Sequence, residues 1–271
     1  MPGRVTLALS GGVARCIAHI GVLQALEEAG VSIEAIAGTS GGSLVGAMYA
    51  ATRDVGRMAA IAPTIRWASV TRPTLSRLSF FNGDALERFC AQMIGVSAFD
   101  QLSLPVAVMA TDLRSGARVA LAKGPVARAV RASCSLPVFF PPVEWEGRWL
   151  IDGGASSQLP VLAARELSPS GVVVGVDVNV IAGGSALQPS HMGQIGLQFV
   201  TLFAMTNAMR ERPHADVMID VDATGVPLHD LGKAQVMLDR GRHAVASKLG
   251  EIEAALRRAG RSDDLKTGES P

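Results

Sequence analysis

An apolar run of strand length, a glycine turn and an amphipathic helix follow one another twice within the first fifty residues. Residues 5–9 form a run too short for a helix, and residues 15–29 then place apolar side chains at helical spacing. Residues 34–37 and 43–51 repeat this order after a second glycine turn. Such alternation predicts the α/β class, with a parallel sheet and helices on its faces.

The rest of the chain continues this pattern without a repeat or a linker. Further strands are predicted at residues 104–110, 118–122, 149–151, 171–180 and 215–221, and further helices at residues 126–134, 191–210 and 230–258. We therefore expect one domain over residues 1–259 and a polar, flexible tail over residues 260–271.

Composition argues against several classes of protein. Lys and Arg total 25 against 24 Asp and Glu, a balance that argues against a dedicated nucleic-acid binder. With 48% hydrophobic residues, wholesale disorder is excluded. The three cysteines lie far apart and match neither a disulfide framework nor a zinc motif. Because the sequence enters a strand at once and no apolar stretch reaches about 18 residues, we expect a cytoplasmic protein.

The segment Gly38-Thr39-Ser40-Gly41-Gly42 matches the pattern G-x-S-x-G at a predicted strand-to-helix turn. Such a turn lifts the serine oxygen clear of the sheet, and the flanking Gly38 and Gly42 remove side chains that would clash there. The following helix directs its positive N-terminus toward developing negative charge. The pattern alone is compatible with two interpretations, a nucleophilic Ser40 and a structural turn in which Ser40 caps the helix.

A second glycine loop, Ser10-Gly11-Gly12-Val13-Ala14-Arg15, ends the first strand. The carboxyl ends of neighbouring parallel strands open at the same edge of a sheet, so we expect this loop beside Ser40. The loop fits neither G-x-G-x-x-G nor G-x-x-x-x-G-K-[ST], which argues against a phosphate or dinucleotide site. Its backbone N–H groups can hold an oxyanion, and the two loops together favour acyl chemistry.

A nucleophilic serine requires a base. The chain contains five histidines: His19, His191, His214, His229 and His243. None lies in a loop typical of a catalytic histidine. Asp152, by contrast, ends a strand-like run and precedes Gly153-Gly154. An ordinary Asp-Gly turn would explain Asp152 by itself, but beside the two glycine loops a carboxylate base for Ser40 is favoured.

Four segments in order, LSGGVARCIAHIGVLQALEEAG, GTSGGSLVGAMYA, RASCSLPVFFPPVEW and DGG, resemble the patatin-like phospholipases. The resemblance implies a three-layer α/β/α sandwich with a mostly parallel central sheet. It also implies a hydrolase of lipid acyl esters with Ser40 as nucleophile and Asp152 as base, and with no histidine, metal or cofactor. The other site residues that it implies belong to the oxyanion loop, the serine turn and the Asp-Gly-Gly motif: Gly11, Gly12, Val13 and Arg15; Gly38 and Gly42; Gly153 and Gly154.

Two positions depart from the family's first loop, which usually reads G-G-G-x-[KR]-G. Val13 stands in place of the third glycine and Cys16 in place of the last. Valine still offers an N–H donor, but a β-branched residue adopts a left-handed conformation only at a cost, so a positive φ there would distort the oxyanion hole. Cys16 either fills a small packing site or has its thiol acidity raised at the helix start.

The expected partner is a lipid or lipid-like ester. Residues 55–83 contain four arginines, three aromatic residues and no Asp or Glu. This composition fits peripheral contact with anionic membrane head groups, or a solvated cap whose aromatic side chains fill the core, which is the more common case. Phe139 and Phe140, in a proline-stiffened loop before Asp152, are candidates for lining an acyl pocket, unless the loop merely packs beneath Ser40 and Asp152.

The sequence therefore predicts a lipid acyl hydrolase of the phospholipase A or lysophospholipase type that forms an acyl-enzyme intermediate on Ser40. Two alternatives stay open. The first is an acyl-lipid-binding or regulatory protein on the same fold, with weak turnover caused by Val13. The second is a Ser-His-Asp α/β-hydrolase, which is disfavoured because Ser40 follows only the second strand and no histidine is well placed.

Overall fold

The computed structural model describes residues 3–181 and 192–267, and this part of the chain forms one sheet of eight strands with helices on both faces. The strands are β1 (Arg4–Leu9), β2 (Ser32–Thr39), β3 (Val106–Asp112), β4 (Arg118–Leu121), β5 (Val143–Trp145), β6 (Arg148–Asp152), β7 (Val172–Val180) and β8 (Val217–Asp222). The helices are α1 (Ala18–Glu28), α2 (Gly41–Thr52), α3 (Val55–Ile61), α4 (Trp67–Val70), α5 (Gly83–Ile94), α6 (Val126–Ser133), α7 (Val161–Leu167), α8 (Met192–Glu211) and α9 (Ala234–Thr267).

The sheet is parallel at its centre and antiparallel at one end. Strands lie in the order β5-β6-β3-β2-β1-β7-β8, and β4 pairs additionally with β3. The pairs β3-β2, β2-β1, β1-β7 and β7-β8 are parallel. β4 and β6 pair with β3 in the antiparallel direction, and β5 pairs with β6 in the same way. Leu9 lies opposite Gly38, so the two glycine loops do open at the same sheet edge, as predicted.

Alternating side chains of the central strands enter two separate cores. Leu7 and Leu9 of β1 are fully buried in the larger core, together with side chains of α1, α2, α5 and α9. Ala8 of β1 and Ala37 of β2 point the other way, into a smaller core that Leu159 and Ala164 complete at α7. A helix layer therefore covers each face, and the expected three-layer α/β/α sandwich is confirmed.

Two of the predicted helices differ clearly from the observed ones. The first predicted helix is divided, because Val13–Ile17 forms a 3₁₀ turn before α1 begins. α9 extends to Thr267, so helical backbone occupies most of the segment predicted to be a flexible tail. The polar composition that suggested a tail is equally compatible with the end of a solvated helix. The single domain stays a prediction.

α8 begins at Met192, so His191, the first residue of the predicted helix, lies outside the described residues. The helix contacts the rest of the protein mainly through the Asp-Gly-Gly region and the turn Arg212–His214 that follows it. Within residues 3–181 and 192–267, no helix combines the length and the apolar character needed to cross a bilayer.

Candidate active site

Ser40 occupies the turn between β2 and α2 with a backbone φ of 51°, in the left-handed region that L-residues rarely adopt. Two glycines make this turn sterically feasible. A Cβ atom on Gly38 would lie 2.6 Å from the Cα of Ser43, and one on Gly42 would lie 2.5 Å from the carbonyl oxygen of Ser10. The helix therefore begins directly against the strand ends.

The Ser40 hydroxyl does not cap α2, although Ser40 occupies the N-cap position. The hydroxyl of Ser43 instead donates to the carbonyl oxygen of Ser40 at 2.6 Å. The Ser40 N–H donates to the hydroxyl oxygen of Ser133, which in turn donates to the carbonyl oxygen of Met109. A purely structural N-cap therefore does not account for the Ser40 hydroxyl.

The register of β3 brings Asp152 to Ser40. In the parallel pairing of β2 with β3, Thr39 lies opposite Met109, and in the antiparallel pairing of β3 with β6, Asp152 lies opposite the next residue, Ala110. β4 occupies one edge of β3, where it pairs with both Met109 and Ala110. The other edge of β3 is therefore shared by β2 and β6. These two strands meet end to end, with Ser40 directly after one end and Asp152 at the other.

The Asp152 carboxyl group is buried, and its Oδ1 accepts the N–H of Gly154 at 2.8 Å. Burial raises the pKa of Asp152 to about 6, while hydrogen bonds from the Gly154 N–H and the Ser40 side chain lower it. A Cβ atom on Gly153 would lie 2.2 Å from the carbonyl oxygen of Met109, so the Asp-Gly-Gly segment packs directly on β3. Asp152 therefore forms the Asp-Gly turn and also presents its carboxyl group beside the serine, so the two interpretations of this residue do not exclude each other.

The first glycine loop supplies two N–H groups next to the serine. Gly12 and Val13 line the same cavity as Ser40, and in the described part of the chain neither N–H has a carbonyl partner. Val13 has a φ of 51°, a conformation that costs an L-residue roughly 1–2 kcal/mol. The backbone at Val13 therefore has a conformation typical of glycine. The expected conflict between a β-branched side chain and a positive φ is present.

Gly11 and Arg15, two of the residues predicted for the oxyanion hole, direct their donors to other segments. The Gly11 N–H donates to the carbonyl oxygen of Gln158 at 3.0 Å, and Nε of Arg15 donates to the carbonyl oxygen of Val226 at 2.8 Å. Neither residue lines the cavity around Ser40. These groups tie the loop to neighbouring segments, because a buried polar group needs a hydrogen-bond partner wherever the fold provides one.

Cys16 fills the space between the two glycine loops. Its Sγ atom would lie 2.7 Å from a Cβ added to Gly41 and 3.4 Å from one added to Gly12. Burial raises the pKa of the Cys16 thiol, so the alternative of an acidic thiol is wrong and the packing interpretation holds. Cys134, which sequence reasoning did not single out, also lines the cavity, and burial raises the pKa of its thiol.

Ser40 and Asp152 both line a cavity of about 580 Å³ whose walls are mostly apolar. Phe139 and Phe140 lie in its wall, at the place predicted for an acyl pocket. Further wall residues come from α3, α5 and α8, none of which was among the predicted site residues. For α8 the available signal was its sequence, which is largely apolar and carries no charge over residues 192–209.

Of the histidines that the structure describes, His229 lines the cavity, whereas His214 and His243 are exposed elsewhere. His19 is fully buried with one ring nitrogen 2.9 Å from a backbone carbonyl oxygen, and burial lowers its pKa to about 4. His191 lies outside the described residues. Among residues 3–181 and 192–267, no three His, Cys, Asp or Glu side chains form a group that could hold a metal ion.

Known proteins are similar to this chain in sequence and in architecture. The family model of the patatin-like phospholipases matches residues 7–165. An uncharacterized NTE family protein of Mycobacterium tuberculosis is 36% identical over 191 residues, which are 69% of this chain and 51% of that protein. Lysophospholipase NTE1 of Coccidioides immitis is 33% identical over 230 residues, which are 81% of this chain and 14% of the fungal protein. The alignment thus spans about half of the mycobacterial relative.

The solved structure of VipD from Legionella pneumophila has the same fold. It aligns with a TM-score of 0.65 at 12% identity, covering 94% of this chain and 67% of VipD. The family match extends over more than half of the chain and includes both glycine loops and the Asp-Gly-Gly motif. The chain therefore belongs to the patatin-like phospholipase family.

Proposed function

We propose that this chain is a serine hydrolase that cleaves carboxylic esters of phospholipids or related lipids, with Ser40 as nucleophile and Asp152 as base. The observation that supports this most directly is the meeting of the two residues at the facing ends of β2 and β6, in the wall of an apolar cavity. The Ser40 side chain lies close enough to the Asp152 carboxyl group to lower its pKa. Activation of a serine by a general base requires the two groups to approach in this way.

In the first step, Oγ of Ser40 attacks the ester carbonyl carbon while its proton passes to Asp152. The pKa of Asp152, raised to about 6, suits this transfer, because the group is ionised at neutral pH and still basic enough to accept a proton. Collapse of the tetrahedral intermediate breaks the ester C–O bond. The alcohol leaves with the proton that Asp152 returns, and the acyl group stays on Ser40.

The N–H groups of Gly12 and Val13 stabilise the negative charge of the tetrahedral intermediate. Both residues line the cavity beside Ser40, and neither N–H has a carbonyl partner among the described residues. Preformed donors of this kind contribute roughly 2.7–4 kcal/mol each to the stabilisation of a transition state in a comparable hydrolase. The positive end of α2, which begins at Gly41, adds to their effect.

Water completes the cycle. It attacks the acyl carbon of the Ser40 ester while Asp152 takes up one of its protons, and the same two N–H groups hold the second oxyanion. Collapse of this intermediate releases the carboxylic acid, and the proton returns from Asp152 to Oγ of Ser40. Neither step needs a group beyond the serine, the carboxylate and the backbone donors.

The substrate class is supported by the cavity and by one relative. Apolar side chains of α2, α3 and α5, such as Met48, Met58 and Phe89, line the cavity and provide contacts for a hydrocarbon chain. The Coccidioides relative is named a lysophospholipase. We therefore propose a lipid acyl group as the part of the substrate that occupies this cavity.

A direct test compares the wild type with Ser40→Ala and Asp152→Asn. The measurements are turnover of a short-chain p-nitrophenyl ester and covalent labelling by a fluorophosphonate. We expect both variants to lose turnover by on the order of a thousandfold or more. Ser135→Ala and Asp112→Asn, which remove a hydroxyl and a carboxylate outside the dyad, serve as matched controls. Full activity of Asp152→Asn, or a folded but inactive wild type, would contradict the proposal.

Two alternatives remain distinguishable. The strained backbone of Val13 is the observation that favours an acyl-lipid-binding protein with weak turnover, which would bind lipid without releasing product. A Ser-His-Asp hydrolase would depend on His229, the histidine that lines the cavity among those described. We expect His229→Ala to retain turnover, because Asp152 already occupies the position of the base.

A further inference from the structure

A cluster of apolar side chains projects into solvent beside the cavity. We use the term cap loop for residues 71–81, which lead from α4 to α5. In this loop Leu75, Leu78 and Phe80 are exposed by 107%, 68% and 63%, and Val138 of the neighbouring segment by 61%. Single exposed apolar residues are common, but a cluster of this kind marks an interaction surface.

The outer cluster is continuous with the wall of the cavity. The N–H of Phe80 donates to the carbonyl oxygen of Val138 at 3.0 Å, and that of Phe81 to the carbonyl oxygen of Phe139 at 2.9 Å. Phe81 and Phe139 line the cavity, while Phe80 and Val138 face solvent. In each of these two segments, a residue of the cavity wall thus directly follows a residue of the outer surface.

Val138 is unusual in its backbone as well. Its φ of 74° lies in the left-handed region, which is costly for a β-branched residue. Neither burial nor backbone preference explains a valine at this exposed position. An apolar phase outside the protein would explain it, because strained residues are found where the surroundings or the function require them.

α8 carries a second exposed apolar surface at the same cavity. Phe199 and Phe203 are exposed by 70% and 52%, although both line the cavity. Residues that line the cavity and are also exposed to solvent lie at the mouth of the cavity. Asn207 and Glu211, at the C-terminal end of α8, anchor the helix by hydrogen bonds to the Asp-Gly-Gly region and to the start of α7. The mouth is therefore bordered by apolar side chains from two separate segments.

The charge of the cap loop indicates which apolar phase fits. Arg72 and Arg77 flank the exposed leucines, are themselves exposed, and have no acidic partner among the described residues. Exposed apolar side chains next to unpaired cations match the interface of a bilayer with anionic head groups. A purely apolar partner surface would leave these two guanidinium groups without counter-charges.

We propose that the cap loop and the exposed face of α8 dock this protein on an anionic lipid bilayer with the cavity mouth against the membrane. Leu75, Leu78, Phe80 and Val138 insert among the acyl chains while Arg72 and Arg77 contact head-group phosphates and carboxylates. A lipid then enters the cavity along Phe81 and Phe139 without crossing water. This inference rests on the proposed hydrolase function for its substrate but is testable without it.

The test uses the full chain in flotation assays with phosphatidylcholine vesicles, prepared with and without phosphatidylserine. We expect binding to vesicles that contain phosphatidylserine, and at least about a tenfold weaker binding for Leu75→Ser/Leu78→Ser, because apolar burial in the bilayer is lost. Leu113→Ser/Val236→Ser makes the same change at exposed positions outside both surfaces and is expected to bind like the wild type. Arg72→Gln/Arg77→Gln is expected to bind about thirtyfold more weakly, whereas Arg4→Gln/Arg114→Gln is not.

Hydrolysis of the soluble p-nitrophenyl ester is measured on the same variants and should be unchanged, which also establishes that they fold. Equal vesicle binding by the wild type and the cap-loop variants would overturn the docking surface while leaving the hydrolase proposal intact. Vesicle binding without Ser40-dependent turnover would overturn the hydrolase proposal while leaving the docking surface intact. Concentration-dependent dimers that Leu75→Ser/Leu78→Ser abolishes would identify a second copy of the chain as the occupant instead.

Discussion

The hydroxyl oxygen of Ser133 accepts the N–H of Ser40 at 2.7 Å. The same hydroxyl donates to the carbonyl oxygen of Met109 on β3, so one buried side chain connects the strained serine turn to the strand that positions Asp152. The Ser40 N–H is thereby removed from the set of proposed oxyanion donors. In the proposed mechanism, Ser133 acts only through Ser40, as a positioning residue.

Ser133→Ala is expected to lower kcat for the short-chain ester by about tenfold or more and to leave KM nearly unchanged. The change leaves a buried N–H and a buried carbonyl group without partners, which costs roughly 1–3 kcal/mol each. Ser135→Ala, whose hydroxyl donates to the carbonyl oxygen of Arg131, is the matched control. An equal loss of stability in both variants with unchanged kcat in Ser133→Ala would mean that Ser133 is merely structural.

The pH dependence of kcat/KM should report the ionisation of Asp152. Burial raises the pKa of this group to about 6, and the proposed base is active only as the carboxylate. Activity is therefore expected to fall as the pH drops through about 6 and to level off above it. A profile that stays flat from about pH 5 to about pH 8 would be incompatible with Asp152 as the base.

Asp152→Asn is expected to raise the free energy of unfolding at neutral pH. Because the pKa of Asp152 is raised from 3.8 to about 6 on folding, the group stabilises the fold below its unfolded pKa, and this stabilisation is lost as the pH rises through about 6. The shift of about two pH units corresponds to a gain of at most about 3 kcal/mol in the variant at pH 7.

Urea denaturation of Asp152→Asn at neutral and at acidic pH measures this effect. The difference from the wild type should be largest at neutral pH and should shrink as the wild-type carboxyl group becomes protonated. Asp112→Asn is the contrasting variant, because backbone hydrogen bonds from Ser115 and Arg114 lower the pKa of Asp112. A destabilised Asp152→Asn protein at neutral pH would show that hydrogen bonding outweighs burial at this site.

Val13→Gly distinguishes the hydrolase from the weakly active binding protein. The left-handed backbone costs valine roughly 1–2 kcal/mol, whereas the added chain entropy of glycine costs roughly 0.5–1 kcal/mol, so a small net stabilisation is expected. Because Val13 already has a φ of 51°, we expect turnover to change less than about threefold. A much larger gain in turnover, absent in Val13→Ala, would support the binding-protein alternative.

Local signals in the sequence predicted the parts of the site that local sterics determine. Gly38 and Gly42 are required by close backbone contacts, and such requirements are visible in a short motif. The alternation of strands and helices likewise predicted the parallel centre of the sheet. The strand that ends at Asp152 was also identifiable, because Gly153-Gly154 interrupts it.

The remaining features depend on pairing between distant segments. No local pattern indicates that β6 runs antiparallel and shares an edge of β3 with β2. The side chain of Arg15 turns away from the loop because Val226, more than two hundred residues later, offers a carbonyl oxygen. The apolar sequence of α8 was a signal for its place in the cavity wall, but an apolar helix is more often buried in a core.

β3 has a consequence for how the protein refolds. This strand carries neither member of the proposed dyad, yet it holds both in register, with β2 paired up to Met109 and β6 paired from Ala110 onward. Both pairings join segments that are distant in sequence, and such contacts form later than local helices because the entropy of closing long loops opposes them. A chain that lacks either pairing would not hold the serine turn and Asp152 in register. Under the proposed mechanism, turnover therefore reappears during refolding later than helical structure does, once β2 and β6 have both docked on β3.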